Sequence, residues 1–264
     1  IIGTDAVLVV STSNGIWIDG DYVNVSGFDI SGAKSYGIAV SKTHVKIENN
    51  VVHHNVTTNG TIGNCGIASG WASALKVLVG GEDVIVRGNT VYENCGEGIA
   101  ITRGVNVLVE NNTVRDNYSV NIYIDNSPFV VVQNNTSTCT GINLRKSRRA
   151  NGITLGEESY SGWGSQRHDI SILNNTVDGC EYGIIAWESD VGGTLKNVII
   201  SGNTITNGIV RSIAIATLTN ENVLVQNNLI YAELTVSNPD GVTLINNTII
   251  GETPTLFGDV PASH

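Results

Sequence analysis

Ile47-Glu48-Asn49-Asn50-Val51-Val52, Val86-Arg87-Gly88-Asn89-Thr90-Val91 and Val109-Glu110-Asn111-Asn112-Thr113-Val114 are three copies of one pattern. Each has an apolar residue, two variable ones, an asparagine, one further residue and a second apolar one. The pattern continues at Asn135, Asn175, Asn203, Asn228 and Asn247, and Phe28 takes the same slot in Val25-Ser26-Gly27-Phe28-Asp29-Ile30. Self-similarity at a fixed period is the signature of a repeat architecture. Spacings of 22 to 25 residues between markers each read as one coil. Short strands at that period, with no helical pattern, suit a parallel solenoid of three strands per turn. Nine markers give about nine coils.

The asparagine has a physical reason. Its amide carries both donor and acceptor, so the same residue in neighbouring coils can hydrogen-bond into a ladder while closing a tight turn. Asn also tolerates the left-handed backbone of a sharp bend. Sequons such as those opened by Asn111 and Asn174 are read as part of the ladder turns, which should hide them from glycosylation.

A second strand repeats beside the first: Gly37-Ile38-Ala39-Val40, Ala74-Leu75-Lys76-Val77, Gly98-Ile99-Ala100-Ile101, Asn121-Ile122-Tyr123-Ile124, Gly152-Ile153-Thr154-Leu155, Gly183-Ile184-Ile185-Ala186 and Ser212-Ile213-Ala214-Ile215. Strand side chains alternate faces, so the aliphatic second and fourth positions point inward and the first, third and fifth outward.

The composition fits. The 264 residues include 30 glycines, 4 prolines and no methionine, and the 41% hydrophobic residues fall in short alternating runs, none of membrane-span length. The chain reads as one all-β domain over 1–264. Ile1 opens inside an apparent strand, with no initiator methionine or leader, so a processed or N-terminally truncated piece of a larger protein is expected. A formal charge of -10 argues against nucleic acid or an anionic membrane as partner. The basic run Arg145, Lys146, Arg148 and Arg149 reads as a solvated loop. Four cysteines without zinc spacing read as disulfides. Equivalent positions in successive coils stack about 4.8 Å apart, which pairs Cys65 with Cys95 and Cys139 with Cys180. Such bridges imply export to an oxidising compartment, so the protein is expected to be secreted or on the cell surface, as a monomer.

Two spacings are stretched, 39 residues from Asn50 to Asn89 and 40 from Asn135 to Asn175. Each is a coil carrying long loops, around 53–72 in the first case and around 140–150 and 158–167 in the second. Between them the outward strand face becomes the floor of a cleft. Lys76, Ala100, Tyr123 and Thr154 form one outward row, and Thr102, Asp125 and Gly156 the next. Lys76, Glu97, Tyr123 and Asp125 are the candidate catalytic residues. Arg103, Glu157, Glu158, Trp187 and Glu188 lie at strand ends, where they can reach the rim and bind substrate, Trp187 by stacking on a sugar face. As surface residues, Lys76 and Asp125 should tolerate truncation without loss of stability. His53, His54 and His168 read as structural, and no metal site is expected from their spacing.

The Asn-marked coils resemble the pectate-lyase-like superfamily of right-handed parallel β-helix proteins, over essentially the whole chain. The run Asn94-Cys95-Gly96-Glu97-Gly98-Ile99, followed by Asp116-Asn117-Tyr118-Ser119-Val120-Asn121-Ile122-Tyr123-Ile124-Asp125-Asn126, looks like a bacterial extracellular branch of it. The resemblance implies polysaccharide lyases, glycoside hydrolases and uronate epimerases, with adhesins and phage tailspikes beside them. The combined Asn-Xaa-Asp, Asp-Asp, Gly-His-Gly and Arg-Ile-Lys set of polygalacturonases is not present, nor is the Asp-Pro-His of alginate epimerases. A calcium-dependent pectate lyase would need acidic ligands on adjacent coils. Asp125, Glu157 and Glu158 approximate that set, so Ca2+ is the one cofactor the sequence admits. The expected activity is cleavage of glycosidic bonds in an extracellular polysaccharide. In lyase form, Lys76 or Tyr123 is the base and Arg103 or Lys76 neutralises the enolate. In hydrolase form, two of Glu97, Asp125, Glu157 and Glu158 act as acid and base. The alternative is a non-catalytic carbohydrate-binding or adhesive module.

Overall fold

A computed structural model of the chain describes residues 2–9, 13–68, 70–158, 164–188, 192–251 and 255–256. The middle of the loop expected around 158–167 lies outside the described residues.

Each coil contributes strands to three parallel stacks. Among the described residues the first sheet has ten strands, including Ser73–Val77, Glu97–Thr102, Val120–Asp125, Asn151–Gly156, Tyr182–Trp187 and Arg211–Ala216. The second runs through Glu82–Arg87, Val105–Glu110, Val130–Gln133, His168–Leu173, Thr194–Ser201 and Thr219–Gln226. The third holds the shorter Thr90–Tyr92, Thr113–Arg115, Thr136–Thr138, Thr176–Asp178 and Thr204–Thr206. This is the all-β parallel β-helix read from the repeat, with three strands per turn.

β-Branched residues fill the interior because they suit a pleated, half-buried surface. Ile38, Leu75, Ile99, Ile122, Ile153, Ile184, Ile213 and Leu234 lie one above the other in register, all buried. Burying each such side chain is worth about 1.5–3 kcal/mol relative to exposure.

The ladder is continuous from Asn50 through Asn89, Asn112, Asn135, Asn175, Asn203 and Asn228 to Asn247. In every step the backbone N–H and the Nδ2 of one asparagine donate to the Oδ1 of the next, at 2.9–3.1 Å. Nδ2 also donates to a carbonyl of the preceding coil, Val86 in the case of Asn112. The left-handed residue of each turn is the one before the marker: Asn49, Gly88, Asn111, Asn134, Asn174, Gly202, Asn227 or Asn246. That division of labour explains the Asn-Asn and Gly-Asn doublets. It also corrects the expectation about sequons, because Asn111 and Asn174 are exposed while the ladder amides beside them are buried.

A second, shorter ladder runs through Asn55, Asn94 and Asn117 at the next corner and ends on Asn121. It corrects the outward assignment of the first position of the repeated strand. Gly98 faces inward at this corner, where a Cβ would stand 2.7 Å from Asn117 Nδ2 and 2.8 Å from Val114. The equivalents Ala74, Asn121 and Ser212 are small or join the ladder. The outward residue is therefore the one before it, giving the row Ser73, Glu97, Val120, Asn151, Tyr182 and Arg211.

Both disulfides form as expected, with Cα separations of 5.1 Å for Cys65–Cys95 and 4.7 Å for Cys139–Cys180. Neither joins equivalent coil positions. Cys65 lies in a small hairpin of the first insert, Gly60–Thr61 with Asn64–Cys65, and Cys139 is offset by one residue because Thr138 pairs with Asp178. The first bridge fastens the insert to the coil, assisted by Asn59, whose Nδ2 donates to Gly70 and Cys95 carbonyls at 3.0 and 3.1 Å. Closing loops with separations of 30 and 41 residues is worth roughly 3.5–4 kcal/mol per bridge. Reduction should lower the melting temperature, and thiol titration of the oxidised, folded protein should find no free cysteine.

Candidate functional site

On the outer face of the first sheet, Lys76, Ala100, Tyr123 and Thr154 are consecutive partners in one row, and Thr102, Asp125 and Gly156 in the next, as alternation predicts. A cavity of about 280 Å3 opens over this floor, lined by Trp71, Glu97, Ser119, Val120, Tyr123, Arg145, Asn151, Glu158 and Trp187. The structure thus brings Glu97, Tyr123, Glu158 and Trp187 of the candidate residues to one pocket.

Glu97 and Lys76 form a nearly buried ion pair. Lys76 Nζ donates to Glu97 Oε2 at 3.3 Å and Ser73 Oγ to the same oxygen at 2.7 Å. Both partners take Oε2, which leaves Oε1 for a ligand. Across the pocket, the Tyr123 hydroxyl donates to Glu158 Oε1 at 3.1 Å. The phenol reaches it by lying over Gly156, where a Cβ would stand 2.3 Å from the hydroxyl oxygen. Trp187 packs beside Ala100, Val120 and Tyr123, and Arg145 covers the Trp71 ring at 4.6 Å while its Nη1 reaches Ser119 Oγ at 3.3 Å.

Other candidates sit elsewhere. Lys76 is 6% exposed and Asp125 0%, so neither is the surface residue that the alternation suggested. Asp125 Oδ1 accepts from the Asn126 amide and the Glu158 backbone N–H, and fixes the loop that carries Glu158. Glu157 and Glu188 do not reach the rim. Both bind Arg167, at 2.6 and 2.7 Å, in a triad whose members are 1–5% exposed, because a guanidinium in a dry site demands carboxylates. Arg103 is at the turn after its strand, its N–H donating to the Asp125 carbonyl, and does not line the cavity. Among the described residues no group of three or more His, Cys, Asp and Glu could hold a metal ion. His53, His54 and His168 pair with Asp29, Glu93 and Asp169 away from this sheet.

Sequence reasoning missed Trp71, Ser119, Val120, Arg145 and Asn151. Val120 and Asn151 were hidden by the corner at which alternation breaks. A tryptophan closing a glycine-rich insert was the available signal for Trp71. The basic run is not a free loop, since Arg145 forms a wall of the pocket.

The family described as right handed beta helix region matches residues 14–157, 144 of the 264 residues, and this chain belongs to it. The right hand of the solenoid follows from that match. A tailspike protein of E. coli bacteriophage HK620, in complex with a pentasaccharide, aligns with TM-score 0.57 and 14% identity over 89% of this chain and 51% of that one. This chain spans about half the tailspike's length. An alginate lyase from Paenibacillus sp. str. FPU-7 aligns with TM-score 0.56 and 12% identity, over 94% and 98% of the two chains. The A-module of an Azotobacter vinelandii mannuronan C-5 epimerase gives 0.50 and 17%, over 97% and 56%. At such identities the likeness concerns the fold. No curated protein matches the sequence. Among the described residues, no helix is long and apolar enough to cross a membrane.

Proposed function

We propose that the protein is a secreted, carbohydrate-active β-helix that cleaves glycosidic bonds of an extracellular polysaccharide in the pocket between Trp71 and Trp187. The observation that carries this reading is the meeting of two carboxylates, Glu97 and Glu158, with a tyrosine and two tryptophans in one cavity of about 280 Å3. Indole faces stack on sugar rings and exclude water. The two carboxylates have different neighbours, an ammonium for Glu97 and a phenol for Glu158, the kind of asymmetry that assigns separate roles. Glu97, its charge balanced by Lys76, serves as base or nucleophile through Oε1. Glu158, hydrogen-bonded to Tyr123, serves as acid toward the leaving oxygen. Two disulfides support export to an oxidising compartment.

Arg145, which lines the same cavity as Tyr123, favours a second form, elimination from a uronate, with Tyr123 moving the proton and Arg145 offsetting the enolate charge. A panel of polysaccharides assayed in parallel for new reducing ends and for absorbance of unsaturated products separates the two. Reducing ends without absorbance are expected for hydrolysis; both together indicate elimination. Saccharide binding with neither signal would make the protein a non-catalytic adhesive or carbohydrate-binding module.

A further inference from the structure

A second cavity, of about 220 Å3, is lined by Ser119, Arg145, Lys146, Arg148, Arg149, Asn151, Glu181 and Tyr182. It shares Ser119, Arg145 and Asn151 with the pocket over Glu97 and Glu158, so the two form one groove along the solenoid axis. Three coil rises separate the strand of Glu97 from that of Tyr182, about 14 Å, room for a few sugar units.

The charge here is opposite to that of the chain. Four cations line this cavity against a single carboxylate, in a protein of formal charge -10. The backbone that carries these cations is held in place. Arg145 and Arg148 exchange both backbone hydrogen bonds at 2.8 Å across a two-residue turn, and Lys146 and Ser147 at its tip have φ of 46° and 66°. Left-handed residues at both central positions make the tight turn that sets paired side chains on one face. Lysine and serine are costly there, and such cost tends to be kept where a site needs it. Arg149 is the brace: its Nη1 donates to the carbonyls of Cys139 and Gly179 at 2.9 and 3.0 Å, and its backbone N–H to Glu181 Oε2 at 3.2 Å. Glu181 Oε2 is thereby engaged by the backbone. Arg148 and Lys146 are exposed, and among the described residues their side chains have no protein partner.

We infer that Lys146 and Arg148, with Arg145, form a subsite for an anionic substituent, a carboxylate or a sulfate ester, on the saccharide bound in the neighbouring pocket. This rests on the saccharide reading of that pocket. The Lys146 ammonium and the Arg148 guanidinium, and the nitrogens of Arg145 not donated to Ser119, supply charge-assisted hydrogen bonds to such a group. A concave, low-dielectric wall focuses their field. The subsite thus selects an acidic polysaccharide in spite of the acidic protein.

The test is calorimetric titration of the whole chain with three oligosaccharides of equal length: neutral, uronate-containing and sulfated. It is repeated on the double variant Lys146→Ala, Arg148→Ala, whose exposed positions leave folding intact. The wild type should bind one anionic ligand at least about tenfold more tightly than the neutral one, and the two anionic arms identify which group is read. The double variant should lose that preference and its salt dependence, with neutral binding unchanged. Equal binding of an anionic ligand by both proteins, or a wild-type preference for the neutral one, overturns the subsite and leaves the glycosidic reading standing. Binding of no saccharide overturns both.

Discussion

Replacing Asn112 with leucine, which keeps the number of side-chain heavy atoms but removes the amide, is expected to cost about 4 kcal/mol or more of stability. The amide is 1% exposed and has four partners. Its Oδ1 accepts from the N–H and the Nδ2 of Asn89, and its Nδ2 donates to the Val86 carbonyl and to Asn135 Oδ1, all at 2.9–3.0 Å. Leucine satisfies none of them. Each orphaned group in a dry site costs about 1–3 kcal/mol, and water cannot enter a stack whose coils are one strand spacing apart. The loss also breaks the ladder into two segments. Thermal and denaturant unfolding of the variant measures it; a melting temperature equal to the wild type would mean the amides exchange their bonds with water. Asn111→Ala is the companion, because Asn111 carries the left-handed φ of 55° but is exposed. It should cost about 1–2 kcal/mol through backbone strain.

The same ladder explains why the fold was legible in the sequence. A solenoid must present the same group at the same place in every coil for the stack to close, so the physical requirement is written as a period. The alternation of Ile99, Ala100 and Ile101 is legible for a similar reason, since one face of the strand is dry. What was not legible arises where a local rule yields to the corner. At Gly98 the chain turns inward beside Asn117, two consecutive residues fall out of alternation, and the outer row shifts to Glu97, Val120 and Asn151. Glu97 was nevertheless found, as the acidic residue next to that strand. The walls of the groove were harder. Trp71, Arg145 and Arg148 belong to loops whose placement depends on a disulfide, a two-residue turn and the Arg149 brace, none of which has a period. Arg167 gives no sequence signal for a fully buried cation, and without it Glu157 and Glu188 look like rim residues.

Glu97→Gln is expected to lower turnover by about 10²–10⁴-fold on whichever polysaccharide the protein cleaves, and to lower stability as well, because it removes the carboxylate paired with the buried Lys76 ammonium. Glutamine has the shape of glutamate, and its carbonyl oxygen can still accept from Lys76 Nζ and Ser73 Oγ, so the floor of the pocket is preserved. What disappears is a carboxylate able to take a proton or attack a carbon. A loss confined to kcat, with KM nearly constant, would mark an interaction made in the transition state. Glu158→Gln should give a loss of similar size but a different pH profile, since removing the acid abolishes the limb of the curve on which protonation of the leaving oxygen depends. Lys76→Ala should be worse for stability than either, because it strands the buried Glu97 charge, and it therefore makes a poor probe of chemistry. Lys196→Ala, which removes an exposed ion pair with Glu221 on the second sheet, is the control and should leave turnover intact. Activity that survives Glu97→Gln and Glu158→Gln singly would place the chemistry outside this pocket.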